Sequence, residues 1–200
     1  MTRIFVTGTD TDVGKSWVSA WLVRSWSAAY WKPVQSGTVD GWDAHLVRKA
    51  VNDAVIFPSR HEFPDPLSPD QAARRVGAQI ALEDFALPDW DGPLVVEGAG
   101  GLMVPLNERH LMIDLIARLG IPVLLVARSG LGTINHTLLS LAELRRRGLG
   151  PAGVVMVGEP NPENRAAIEH FGEVPVVGEL PPLLDLAALN AFPPLHWIPN

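Results

Sequence analysis

Residues 3–16 read Arg-Ile-Phe-Val-Thr-Gly-Thr-Asp-Thr-Asp-Val-Gly-Lys-Ser, and good helix formers follow. A short apolar run, a loop bracketed by Gly8 and Gly14, and a helix opening at Lys15-Ser16 make one unit. In that order the glycines let backbone N–H groups curl round phosphate oxygens at a helix N-terminus. The lysine reaches the terminal phosphates, and the serine hydroxyl is placed to ligate Mg²⁺. Gly8 and Gly14 stand one residue further apart than in the common pattern, so the loop is a longer variant. A strand that ends in such a loop and continues as a helix reaches a parallel neighbour through a crossover. This unit therefore commits the chain to an α/β layer fold.

The rest of the sequence keeps that rhythm. Near-continuous apolar runs at Arg3–Thr7, Tyr30–Val34, Pro93–Glu97, Pro122–Ala127, Ala152–Val157 and Val174–Val177 predict strands buried on both faces. Lys15–Ala28, Asp43–Val51, Asp70–Ala81, Ile113–Leu119, Thr133–Arg147 and Pro162–Phe171 predict helices. The alternation predicts an α/β layer fold with a mostly parallel central sheet, and with the phosphate loop the expectation is a three-layer sandwich of the P-loop NTPase type. Residues 52–69 carry Pro58, Pro64, Pro66 and Pro69 with little periodicity and are expected to form a long loop of functional importance. The proline-rich stretch from Pro181 onward is expected to wrap the surface. There is no internal repeat and no linker, so residues 1–200 are read as a single domain.

Lysine is scarce. Lys15, Lys32 and Lys49 stand against thirteen arginines, and two of the three fall in segments with chemistry. Lys15 belongs to the phosphate loop. Lys32 lies in Trp-Lys-Pro-Val-Gln-Ser-Gly at the end of an apolar strand, where solvation alone would not place an ammonium. Parallel strands bring their carboxyl ends to one edge, so Lys32 is expected to point toward the same edge as Lys15. A hard cation wants carboxylates beside the serine hydroxyl. Glu97, before Gly98-Ala99-Gly100-Gly101, is one candidate, and Asp43, opening a helix, is the second. Two cations and two acids round a phosphate loop favour phosphoryl transfer over nucleotide storage. The six histidines show no metal-ligand spacing, and no nucleophile elbow is present.

Composition excludes more than it identifies. A hydrophobic fraction of 47% with 19% charged residues rules out a disordered chain. A net charge of −6 is unsuited to a nucleic-acid backbone. Cysteine is absent, which removes disulfides, thiolate metal sites and a Cys nucleophile. With no apolar run long enough to span a bilayer and no signal-peptide pattern, a cytoplasmic protein without membrane contact is expected.

Collinear segments along nearly the whole chain are similar to the dethiobiotin synthetase family. They are Phe5–Ser16, Trp31–Gly37, Asp43-Ala44, Pro66–Pro69, Val96–Gly101, Leu131–Thr137 and Gly178–Pro181. The resemblance implies an ATP- and Mg²⁺-dependent closure of a ureido ring on 7,8-diaminopelargonic acid with CO₂, through a carbamate and a carbamic-phosphoric anhydride. It implies that Lys15 and Lys32 steady carbamate and phosphate charge, and that Ser16, Asp43 and Glu97 hold Mg²⁺. It places the nucleotide on Asp12, Val13, Gly14, Lys15, Ser16, Trp17 and Asp43, on Glu97, Gly98, Ala99 and Gly100, and on Pro181, Pro182 and Leu183. Thr11 and Ser36 would touch the diamine or carbamate. It also implies a homodimer, with the Gly132–Asn135 helix start of one subunit near the substrate carboxylate in the other.

Two departures carry consequences. Val157 stands where the family often has an asparagine that reads the nucleotide base, and valine offers no hydrogen bond. Ser16 replaces the commoner threonine and keeps the hydroxyl. The main alternative is a dimeric switch ATPase of the MinD/ParA type. Those proteins carry a lysine four residues before the loop's second glycine, where this chain has Asp10.

Overall fold

In the computed structural model, which describes residues 2–39, 43–182 and 185–199, seven parallel strands form the central sheet. In chain order they include β1 (Arg3–Gly8) and β2 (Ala29–Trp31). Strands β3 (Val34–Ser36), β4 (Ile56–Phe57), β5 (His61–Phe63), β6 (Leu94–Gly101), β7 (Val123–Arg128), β8 (Pro151–Val157) and β9 (Val176–Leu180) follow. The main sheet runs β4-β2-β6-β1-β7-β8-β9, and β3 pairs with β5 in a separate parallel ribbon. The helices are α1 (Lys15–Trp26), α2 (Asp43–Ala50), α3 (Pro69–Arg75), α4 (Met112–Leu119), α5 (Thr133–Arg146), α6 (Pro162–Gly172) and α7 (Leu186–Ala191).

Side-chain alternation along the strands builds three layers. Ile4 and Val6 of β1 pack with Val18 and Leu22 of α1 and with Leu189 of α7. Phe5 turns the other way, among Leu94, Val96, Met112 and Ile116. On that same side, Leu125, Val154 and Met156 meet Leu141 of α5 and Ile168 of α6. A sheet covered on both faces needs apolar residues at consecutive positions, which explains the unbroken runs in the sequence.

Several boundaries differ from expectation, each for a local reason. The predicted strand Tyr30–Val34 is two strands, because Pro33 has no N–H to give the ladder. Its carbonyl instead accepts Arg60 N–H at 2.9 Å, and the chain turns aside to pair β3 with β5. The predicted helix Asp70–Ala81 spans only Pro69–Arg75, since Gly77 takes a left-handed φ of 70° just past it. The expected loop at 52–69 contains β4 and β5. The tail does wrap the surface, and it also forms α7, capped by Asp185 accepting Ala188 N–H at 2.9 Å. Trp21 Nε1 donates to Pro193 O at 2.8 Å and Trp26 Nε1 to Trp197 O at 3.0 Å, fastening the tail across α1.

Candidate active site

The carboxyl ends of β1, β2 and β6 meet at one edge of the sheet, where open parallel sheets bind ligands. The loop from β1 to α1 depends on a left-handed backbone at Gly14 (φ 96°), where an added Cβ would lie 2.9 Å from Val157 Cγ1. Gly14 caps α1 without a side-chain hydrogen bond, so the first-turn N–H groups face outward for an anion. Lys15 Nζ donates to Asp10 O at 2.9 Å and folds over the loop. Val13 is buried behind it. Across the loop, Arg128 pairs with Asp10 at 3.1 Å and donates to Thr11 O at 3.3 Å.

Beneath the loop lies a compact acid–base cluster. Glu97 is fully buried, and Lys32 is nearly so. Lys32 Nζ donates to Asp43 Oδ2 at 2.5 Å and to Glu97 Oε1 at 3.0 Å. Ser16 Oγ lies 2.8 Å from Glu97 Oε1 and also within hydrogen-bond distance of Asp43 Oδ1. A hydroxyl has one proton, so two carboxylate oxygens compete for it. Three oxygens gathered on one proton form a hard donor set suited to Mg²⁺, which takes few protein oxygens and fills its shell with water and phosphate. Among the described residues no group of three His, Cys, Asp or Glu could hold a metal ion, so the serine is needed to complete the set.

Charge in the cluster follows from burial and pairing. Burial opposes the Lys32 charge, but Glu97 and Asp43 outweigh it and hold the ammonium above its ordinary range. Burial also opposes the Asp43 charge. The Lys32 ion pair and bonds from Lys32, Ser16 and Gln35 outweigh it, so that carboxyl sits below its ordinary range. Lys15 is the opposite case: burial dominates and lowers it, only partly countered by Glu97.

These groups line a cleft of about 850 Å³. Of the residues expected from sequence, Thr11, Asp12, Gly14, Lys15, Ser16, Trp17, Lys32, Ser36, Asp43, Glu97, Ala99 and Gly100 all lie on its wall. Val13 supports the loop from behind, and Gly98 packs against Phe5 and Met112, so neither lines the cleft. Pro181 and Pro182 follow β9 at the far edge of the sheet, off the cleft wall. Leu183 lies outside the described residues. Ser36 Oγ is buried with no hydrogen-bond partner among the described residues, which leaves it open to a ligand.

The cleft also includes residues that sequence reasoning did not assign to it. Gln35, Leu46 and Val104 lie on the wall, as do Pro66, Leu67, Ser68 and Pro69 from the proline-rich segment. The proline cluster was the signal for that segment. Gln35 lies between Lys32 and Ser36 in a segment already singled out, whereas Leu46 carries no local signal, since only the placement of α2 brings it in. A second cavity of about 590 Å³ lies between α3 and residues 106–110, away from the phosphate loop.

Fold and site together define a P-loop protein of the nucleotide-binding α/β class. The family described as AAA domain matches residues 2–190. An ATP-dependent dethiobiotin synthetase from Paramagnetospirillum magneticum is 55% identical, over 97% of this chain and 96% of that protein. Another from Brucella ovis is 46% identical, over 92% and 88% of the two chains. The chain belongs to the dethiobiotin synthetase family. Among solved structures, a ParA family ATPase from Chlorobium tepidum aligns with TM-score 0.57 at 15% identity, covering 94% of this chain and 89% of that one. The MinD-containing cell division complex from Aquifex aeolicus aligns with TM-score 0.53 at 11% identity, covering 95% and 86%. Those likenesses show a shared fold.

Proposed function

We propose that the chain is a single-domain, ATP- and Mg²⁺-dependent cyclo-ligase that converts 7,8-diaminopelargonic acid and CO₂ to dethiobiotin. The observation that carries the reading is the convergence of Lys15, Lys32, Ser16, Asp43 and Glu97 in one cleft beneath the phosphate loop. One amine of the substrate adds to CO₂ and loses a proton, giving a carbamate. A carbamate oxygen attacks the γ-phosphorus of ATP and ADP leaves. The second amine then attacks the carbamoyl carbon, phosphate departs, and a ureido ring closes with loss of a proton.

The protein's share is placement and charge, because the substrate supplies both nucleophiles. Lys32, held charged by its carboxylates, faces the anionic carbamate and the transferred phosphoryl group. Lys15 and the first-turn N–H groups of α1 take the phosphate oxygens. Ser16, Asp43 and Glu97 would hold a Mg²⁺ ion, which would supply neutralisation of the phosphate charge. Thr11 and Ser36, both on the cleft wall, would fix the diamine or carbamate. A cytoplasmic homodimer acting on small molecules alone completes the proposal. Asp10, paired with Arg128, occupies the position where a MinD/ParA switch carries its lysine, so that alternative is not favoured.

The test is phosphate release from ATP and Mg²⁺ with bicarbonate and diamine each omitted in turn. Release that depends on both supports the reading, and release indifferent to the diamine opposes it.

A further inference from the structure

Tyr30 is the sole tyrosine in the sequence and, among the described residues, the largest of the fully buried side chains. Its register in the sheet sets it beside Val95 of β6, two residues before Glu97. Residues 95 and 97 share one face of that strand, so a side chain from residue 30 must run along β6 to reach Glu97. Two residues of strand span about 6.6 Å, a distance that a phenol covers and an aliphatic side chain does not. The Tyr30 hydroxyl ends 3.0 Å from Glu97 Oε2 and donates to it.

The two oxygens of Glu97 are thereby given different work. Oε1 takes Ser16 Oγ at 2.8 Å and Lys32 Nζ at 3.0 Å, while Oε2 takes the phenol. A carboxylate's terminal torsion is broad and roughly two-fold. Without the phenol, a fully buried Oε2 would lack that donor and the group would turn to share Lys32 or Ser16.

We propose that Tyr30 is a positioning residue for this reaction, locking the Glu97 carboxylate so that Oε1 is presented to Ser16 and to the Mg²⁺ of the bound nucleotide. The proposal rests on the reading of Glu97 as a Mg²⁺ carboxylate. Tyr30→Phe removes the hydroxyl and keeps the ring. Calorimetric titration with ATP, in EDTA and across a Mg²⁺ series, separates the two contributions to binding. Loss of one hydrogen bond to a charged group predicts that the Mg²⁺ needed for half-maximal ATP binding rises about tenfold, with ATP affinity in EDTA within about twofold of wild type. Equal weakening with and without Mg²⁺, or an unchanged Mg²⁺ requirement, overturns the role of Tyr30. No Mg²⁺ effect on the unmodified chain overturns the metal reading itself, and this proposal with it.

A second measurement does not depend on the variant folding. Protein carrying ζ-¹³C tyrosine gives one side-chain signal, because there is one tyrosine. That signal is expected to shift on adding ATP with Mg²⁺ and to stay in place with ATP in EDTA. The same spectrum under both conditions contradicts the proposal.

Discussion

Replacing Lys32 by methionine tests the acid–base cluster most severely. The change keeps most of the stem volume and removes the ammonium. Its nitrogen lies 2.5 Å from Asp43 Oδ2 and 3.0 Å from Glu97 Oε1. At an effective dielectric of 20, each contact has a gross attraction of about 6 kcal/mol, most of it offset by dehydration. The cost of breaking a buried pair from one side is about 3–5 kcal/mol, because a carboxylate is left behind. Glu97 is wholly buried, but the Asp43 side chain is 32% exposed and recovers some hydration. The expectation is therefore the lower end, about 3 kcal/mol, or a fall in Tm of about 6–12 °C for a chain of this size. A divalent cation can replace the lost charge, so excess Mg²⁺ should raise the Tm of Lys32→Met more than that of wild type. Thermal unfolding followed by circular dichroism, with and without Mg²⁺, reads both effects. In turnover, the variant should lose kcat far more than it changes KM. A Tm within about 2 °C of wild type would refute the argument, since that range matches an exposed pair.

Three other perturbations follow. Gly14→Ala forces a Cβ to 2.9 Å from Val157 Cγ1 at a φ of 96°, which should cost about 2 kcal/mol and weaken ATP binding more than tenfold. Adding Val157→Ala should restore only part of the stability, and full restoration would show that the backbone conformation is unimportant. Asp114 accepts Leu111 N–H at 2.7 Å and bonds Arg147 at 2.8 Å; burial opposes its charge, yet these bonds hold its carboxyl below the ordinary range. A depressed folded pKa gives stability that is present above the unfolded value and lost as pH falls through the folded one. Asp114→Asn should thus lower Tm at pH 7 by about 2–4 °C and flatten the acid limb, and parallel Tm–pH curves would contradict this. Because Val157 offers the base no hydrogen bond, ATP, CTP and GTP should turn over within about tenfold of one another at equal concentration. A strict preference for ATP would show that other groups read the base.

Much of the site was legible because its chemistry is local. Gly8 to Ser16 specify a phosphate loop and the start of a helix within one short stretch, and Glu97 stood out as an acid in an apolar run before four small residues. The strand expected to end at Glu97 in fact continues through Gly101, because the chain keeps pairing along β1 as far as Gly101, opposite Gly8. Lys32 was conspicuous as a charge at the end of an apolar run. What was hidden depends on register. Nothing near Tyr30 says that its hydroxyl meets a residue 67 positions away, because that contact exists only once β2 lies against β6. The split after Trp31 was signalled by Pro33, but the hydrophobicity on both sides masked it. The short α3 was overextended because Gln79 and Ala81 continue a helical pattern that Gly77 ends. In the tail, prolines indicated a wrapping segment, while the indole donors that fasten it belong to α1, far away in sequence.

The most direct test of the central claim is the fate of carbon from ¹⁴C-bicarbonate. With diaminopelargonic acid, ATP and Mg²⁺, the chain should place label in an acid-stable ureido product, one carbon for each phosphate released. Stoichiometric phosphate release without labelled product, or no turnover of the diamine, would contradict the account.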